Sequence, residues 1–172
     1  AQADWGNDLY TGEMALCSAC PPADLADPID QFTEYSFDNL GGPKNPANPV
    51  YQVDPGFVDL GLGGFLGDPA EYGKQKVPTL RNVGKKPGPG VVKAFSHNGY
   101  FKSLEQIVHF YNTRDVKPTC PGPYTADEAM AAGCWPAAEV AANVNSDELG
   151  YLGLTAEEEA AIVAFMRTLS DE

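Results

Sequence analysis

Glycine and proline are spread so densely through this chain that they restrict its architecture before any other side chain is weighed. There are 18 glycines and 15 prolines among 172 residues. From Gly41 to Pro69, in GGPKNPANPVYQVDPGFVDLGLGGFLGDP, they are never separated by more than five other residues. Proline removes a backbone donor and glycine weakens a helix interior by about 1 kcal/mol, so neither a long helix nor a central strand suits this stretch. An ordered but irregular wrap is expected, with the glycines at turns. Its GLGGF piece lacks the spacing and the strand–helix context of a phosphate-binding fingerprint.

Regular structure is left to segments with their own start signals. Ser103 followed by Gln106 makes a capping box for SLEQIVHFYN, in which Leu104, Ile107, Val108 and Tyr111 form one apolar stripe. Thr155 and Glu158 do the same for TAEEEAAIVAFMRTL, where Ile162, Phe165, Met166 and Leu169 face inward. Three glutamates in its first turn and Arg167 near its end match the helix dipole. A shorter helix is expected in WGNDLYTGEMALCSAC, weakened by Gly12. No repeat and no convincing alternating strand is present. The fold class is mostly α, with long Gly/Pro-rich irregular loops, and the length suits one domain over residues 1–172.

A formal charge of −13 and a pI near 4.4 argue against nucleic acid or an anionic membrane surface as partner. No apolar run approaches the ~18–20 residues needed to cross a bilayer. The start, Ala1-Gln2-Ala3-Asp4, reads like the mature end left by cleavage of an export signal, so a periplasmic location is expected. The four cysteines fall into two pairs. Cys120 and Cys134 lie in the loop-like KPTCPGPYTADEAMAAGCWP, where a disulfide would contribute roughly 3 kcal/mol at best; two buried thiols are the alternative.

Cys17-Ser-Ala-Cys20 has the spacing that holds a haem through two thioethers, but Pro21 stands where the iron-binding His normally follows. Four-thiolate zinc would need the second pair two to four residues apart, and a thioredoxin-type motif would need a βαβ context. The two histidines narrow the choices further. His109 lies about 140° around its helix from Leu104, a rim position. His97, in the aromatic loop KAFSHNGYFKS, is the better candidate for a site residue. No Ser/His/Asp set or paired acid–base site is readable from spacing.

Five pieces of the sequence, taken in order, carry a resemblance: QFTEYSFDNLGGPKNP, FVDLGLGGFL, YGKQKVPTLRNV, AFSHNGYFKSLEQIVHFYNT and LGLTAEEEAAIVAFMRTLSD. Together they resemble the C-terminal haem domain of the bacterial dihaem cytochrome c peroxidase family, which includes MauG. The resemblance runs from about Leu9 to Ser170. It implies a cytochrome c-like fold around one haem c, with Cys17 and Cys20 as thioether positions. It also puts Arg81 of TLRN near the haem edge, a natural propionate partner.

The departures from the family pattern are equally specific. Pro21 replaces the proximal His, and Ser96 stands where a Met or Tyr commonly precedes the His of the HNG or HDG loop. His97 is then the best remaining candidate for an axial ligand to iron. The family's first haem domain has no counterpart in this sequence, so two-haem peroxidase chemistry cannot run on this chain alone. The leading expectation is a c-type cytochrome that transfers electrons and docks an acidic surface on a basic redox protein. Two alternatives stand beside it: a peroxidase-like domain with an open iron site, and a haem-free binding module with a Cys17–Cys20 disulfide.

Overall fold

The computed structural model describes residues 1–12, 32–33, 35–85 and 93–170. Cys17, Cys20 and Pro21 lie outside the described residues. Among those described, six helices and one short strand pair stand in a large amount of irregular chain. The helices are α1 (Gln2–Thr11), α2 (Pro49–Val53), α3 (Gly61–Leu66), α4 (Leu104–Thr113), α5 (Ala126–Ala132) and α6 (Ala156–Met166). Strands β1 (Phe37–Asp38) and β2 (Gln75–Lys76) pair antiparallel, with Phe37 opposite Lys76.

Helix α1 packs on α6 at a point that only glycine allows. A Cβ on Gly6 would lie 1.9 Å from the carbonyl oxygen of Ala161, inside any permissible contact. The two backbones therefore touch, and Leu9 and Tyr10 are buried beside the α6 residues Ile162, Phe165 and Met166. Tyr10 and Phe165 meet ring to ring with centroids 5.3 Å apart. Helix α4 packs across the same α6 face through Leu104 and Val108. Asn112 ties α4 to the loop before α6, with both amide atoms bonded to the backbone of Leu154.

Both capping boxes read from the sequence region of α4 and α6 lead into helices. The Ser103 hydroxyl accepts from the Gln106 N–H, and the Thr155 hydroxyl from the Glu158 N–H. Gln106 turns its side chain to the Lys102 N–H, one residue outside the reciprocal pattern. The inward set Ile162, Phe165, Met166 and Leu169 is buried.

Two local expectations are corrected. GLGGF does not form isolated turns but most of helix α3, and two of its glycines are needed for close approach. A Cβ on Gly61 or Gly63 would strike the backbone of Lys74 or Tyr72 at 2.2 and 2.4 Å. The loop-like stretch between the last two cysteines contains α5, closed by a Thr125/Glu128 capping box and by Gly133 in the left-handed conformation. Cys120 and Cys134 form a disulfide and are buried among Phe110, Trp135 and Tyr100.

Gly6→Ala should destabilise the fold by roughly 1–3 kcal/mol through overpacking, although helix propensity alone would stabilise it by about 1 kcal/mol. Thermal unfolding checks this, and an unchanged or raised Tm would refute the backbone contact. Replacing Cys120 and Cys134 together with Ala should cost up to ~3 kcal/mol in urea unfolding, the entropy of the freed loop.

Candidate functional site

A cavity of about 650 Å³ opens between α4, α6, the end of α1 and the irregular segments 38–42, 73–83 and 93–97. That volume is within the 300–1,000 Å³ typical of small-molecule and cofactor sites. Most of the wall is apolar: Leu104 and Val108 from α4, Ile162 and Met166 from α6, Leu80 and Phe95 from the loops. Tyr10, in the last turn of α1, lines the cavity seven residues before Cys17.

One corner of the cavity is polar and assembled from three distant parts of the chain. His97 lines it with its side chain 24% exposed, and its Nε2 lies 3.8 Å from Asp59 Oδ2 and 3.9 Å from Glu139 Oε2. Both separations exceed hydrogen-bond distance. The Glu139 side chain is 3% exposed, so its carboxylate needs partners within the protein. It receives the Tyr51 hydroxyl at 2.8 Å and the Asp59 N–H at 3.1 Å. Its own N–H donates to Gly42 O, which holds the residue against the wrap. Burial, and then the hydrogen bond to Glu139, push the Tyr51 hydroxyl well above its ordinary range. Lys44 stacks its ammonium on the Tyr51 ring, 4.4 Å from the centroid.

A further polar atom borders the same wall. Gln75 Nε2 is buried and has no hydrogen-bond partner among the described residues.

The loop carrying His97 is held rigidly. Asn98, nearly fully buried, donates to Pro43 O and accepts the Tyr100 N–H, while Asn45 donates to the Asn98 carbonyl. Phe95 N–H closes the loop onto Phe101 O at 2.8 Å. Ser96 sits at φ +65°, a left-handed conformation that a non-glycine residue adopts only under constraint. Its hydroxyl lies 3.0 Å from Asn98 Oδ1 and so is committed within its own loop.

The remaining sequence candidates fall as follows. Leu80 and Asn82 line the cavity; Arg81, between them, carries its guanidinium 5.1 Å from the centre of the Phe32 ring. The turn after Arg81 is clamped by Lys93, whose ammonium donates to the carbonyls of Asn82, Val83 and Lys85. Burial lowers the Lys93 pKa. His109 takes the rim position expected of it and pairs with Glu159 of α6 at 3.0 Å. Sequence reasoning missed Glu139, Asp59, Tyr51 and Gln75, since nothing local marks them. They stand up to 88 residues apart and meet only in the fold.

No family model matches the chain. It is 35% identical over 147 residues to the methylamine utilization protein MauG of Paracoccus denitrificans, covering 83% of this chain and 35% of that protein. It is 29% identical to cytochrome-c peroxidase IdrP1 of Denitromonas iodatirespirans, over 99% of this chain and 40% of the relative. Among solved structures, the dihaem peroxidase BthA of Burkholderia thailandensis superposes with a TM-score of 0.75 at 27% identity, again covering 99% of this chain and 42% of that one. A MauG-like protein associated with microbial copper homeostasis matches the fold at a TM-score of 0.60. The chain thus spans about two fifths of the length of these proteins. Among the described residues, no helix is long and apolar enough to cross a membrane.

Ionisation of Tyr51 and Tyr100 gives an alkaline test of this packing. Both hydroxyls are held above the ordinary tyrosine value, by burial first in each case. The folded state keeps protons that the unfolded state loses above about pH 10, so stability should be full below that pH and fall as it rises. Urea midpoints measured across that range should decline, and less steeply in Tyr51→Phe. An identical slope in the variant would place its hydroxyl in water rather than on Glu139. With the apolar cavity, its polar corner and these likenesses together, the chain belongs to the MauG/dihaem cytochrome c peroxidase family.

Proposed function

We propose that this chain is a c-type cytochrome domain of the C-terminal type in its family, holding one haem c in the 650 Å³ cavity and transferring electrons. The observation that carries the reading is the cavity itself: a large apolar space walled by the first and last helices, with Tyr10 just upstream of the Cys17/Cys20 motif. The residues present fit such a group. The wall is largely apolar, as an extended apolar ring system needs. Cys17 and Cys20 would form the thioethers, Arg81 would meet a propionate, and His97 would be the axial ligand. The haem supplies one-electron redox chemistry, with a potential set by axial ligand and burial.

The chain's own residues act on His97. Asp59 and Glu139 stand within 4 Å of its Nε2, so the other ring nitrogen, away from the two carboxylates, would be the metal donor. Glu139 keeps that position because Tyr51 and the Asp59 N–H hold it in place. The acidic chain, at −13, would meet a basic redox protein after export to the periplasm.

A second reading is favoured by the same corner. His97, Asp59, Glu139 and Tyr51 bring an imidazole, two carboxylates and a phenol together, residue types that a peroxidase-like domain uses in acid–base steps. Added cyanide or peroxide separates the two: a pure electron carrier keeps its spectrum when they are added, and an open site binds them.

The test is intact mass with absorption spectra of oxidised and reduced protein. One added haem, a Soret band and sharp reduced α and β bands are expected. Cys17→Ala with Cys20→Ala should abolish the covalent mass, and His97→Ala should change the iron's spin state. A colourless protein of plain polypeptide mass would overturn the reading and favour a haem-free module.

A further inference from the structure

A haem iron can take a ligand on each face of its ring, and this chain lacks the two that its family pattern supplies. Pro21 follows Cys20, and Ser96, whose hydroxyl lies 3.0 Å from Asn98 Oδ1, stands in the loop position. Among the described residues, four cavity-lining side chains carry an amine, an imidazole or a thioether: Lys76, Lys93, His97 and Met166. Both lysines are engaged elsewhere. Lys93 donates to the carbonyls of Asn82, Val83 and Lys85, and Lys76 donates to Val77 O and lies 4.8 Å from the centre of the Tyr35 ring. An ammonium must also lose a proton before it can bind a metal, whereas a thioether is neutral at every pH. His97 and Met166 remain.

Met166 is the last residue of α6 and is buried one turn beyond Ile162, which lines the same cavity. Helix α6 lies against α1, the helix that leads toward the Cys17/Cys20 motif. Gly6 meets the Ala161 carbonyl, and Phe165, next to Met166 in the sequence, meets Tyr10 ring to ring. The turn after Arg81 fixes the backbone at Met166 from the other side. Asn82 N–H donates to Leu169 O at 2.6 Å, and a Cβ on Gly84 would lie 2.6 Å from Arg167 Cα and 3.2 Å from Met166 O. His97 belongs to another part of the wall, with Asp59 and Glu139, while α6 packs on α1 and α4.

We propose that Met166 is a second axial ligand, supplying from the last helix the coordination position that Pro21 leaves without a histidine. The inference deepens the haem reading and rests on it. A thioether is a soft donor of the kind that binds haem iron, and paired with an imidazole it raises the reduction potential. Methionine is unbranched, with three rotatable bonds, so its sulfur can move toward a metal inside a packed core. A neutral donor also suits an apolar wall, where a charged one would have to be paired. A methionine that only fills space in the core would show none of the signatures below.

The chain has three methionines, which makes the test direct. Met130 is exposed on α5, and Met14 lies outside the described residues. The intact chain, isotopically labelled at its methionine methyls, is reduced and examined by NMR, with its mass measured on the same sample. A methyl held over the haem by a sulfur–iron bond is shifted far upfield by the ring current, outside the range of any unbound methionine. One such signal is expected, lost in Met166→Leu and retained in Met130→Leu. Met166→Leu nearly conserves volume, so its helical spectrum should be unchanged. Its oxidised iron should turn high-spin and bind added cyanide that the unaltered chain ignores.

Three results in a protein that carries haem by mass would overturn the proposal: all methionine methyls in the ordinary range, an upfield methyl that survives Met166→Leu, or an iron spectrum that this variant leaves unchanged. The second would give the position to Met14 or Met130. Each of these removes the ligand and leaves the haem reading standing. A plain polypeptide mass would instead overturn the haem reading, and this inference with it.

Discussion

A backbone-to-backbone crossing underlies the rest of this structure. Gly6 lies against the carbonyl of Ala161, and the absence of one Cβ lets α1 and α6 close to a distance at which Leu9, Tyr10, Ile162, Phe165 and Met166 share a single core. That closure does more than bury area. It brings the last turn of the first helix and the inner face of the last helix into the wall of one cavity. With α4 laid across α6, three helices enclose a space that the loops then finish. A methyl group at position 6 would part the helices and open the space.

The loops can finish the cavity because their polar groups are satisfied internally. Asn39 donates to the carbonyls of Val140 and Ala142, Asn98 to Pro43, and Asn45 to Asn98. Each bond is modest alone, but these side chains are buried, so leaving any one unpaired would cost about 1–3 kcal/mol. Irregular chain is thereby given a definite shape without regular secondary structure. The strained backbone of Ser96 is part of the same arrangement, held by a closed loop and presenting His97 to the cavity.

How much of this could be read in the sequence follows from the range of the signals. Helices α4 and α6 were legible because a cap and an apolar stripe lie within a dozen residues of each other. Helix α5 carried the same kind of cap, Thr125 with Glu128, but its alanine-rich body ADEAMAA has little stripe to confirm it. Helix α3 was hidden because its glycines serve contacts with Lys74 and Tyr72, which no local rule can see. His97 was singled out because only two histidines exist. The site around it was illegible, since Tyr51 and Asp59 of the wrap lie 80 or more residues from Glu139. Their chemistry arises only where the wrap meets the segment after the disulfide.

That meeting point carries a cost that the fold must offset. A carboxylate with a nearly fully buried side chain, in the wall of an apolar cavity, is unfavourable unless donors replace its water. Tyr51 and the Asp59 amide provide two, and Lys44 on the Tyr51 ring adds positive charge just behind. Glu139 thus keeps its acceptor atoms at a fixed place next to His97. For a merely structural wall, an apolar residue at position 139 would be the cheaper solution by the same reasoning. A buried acid held by two donors in the cavity wall is therefore best understood through what the cavity holds. The wrap makes this possible, since it supplies both donors, the Tyr51 hydroxyl and the Asp59 N–H, to a carboxylate that the chain reaches only eighty residues later.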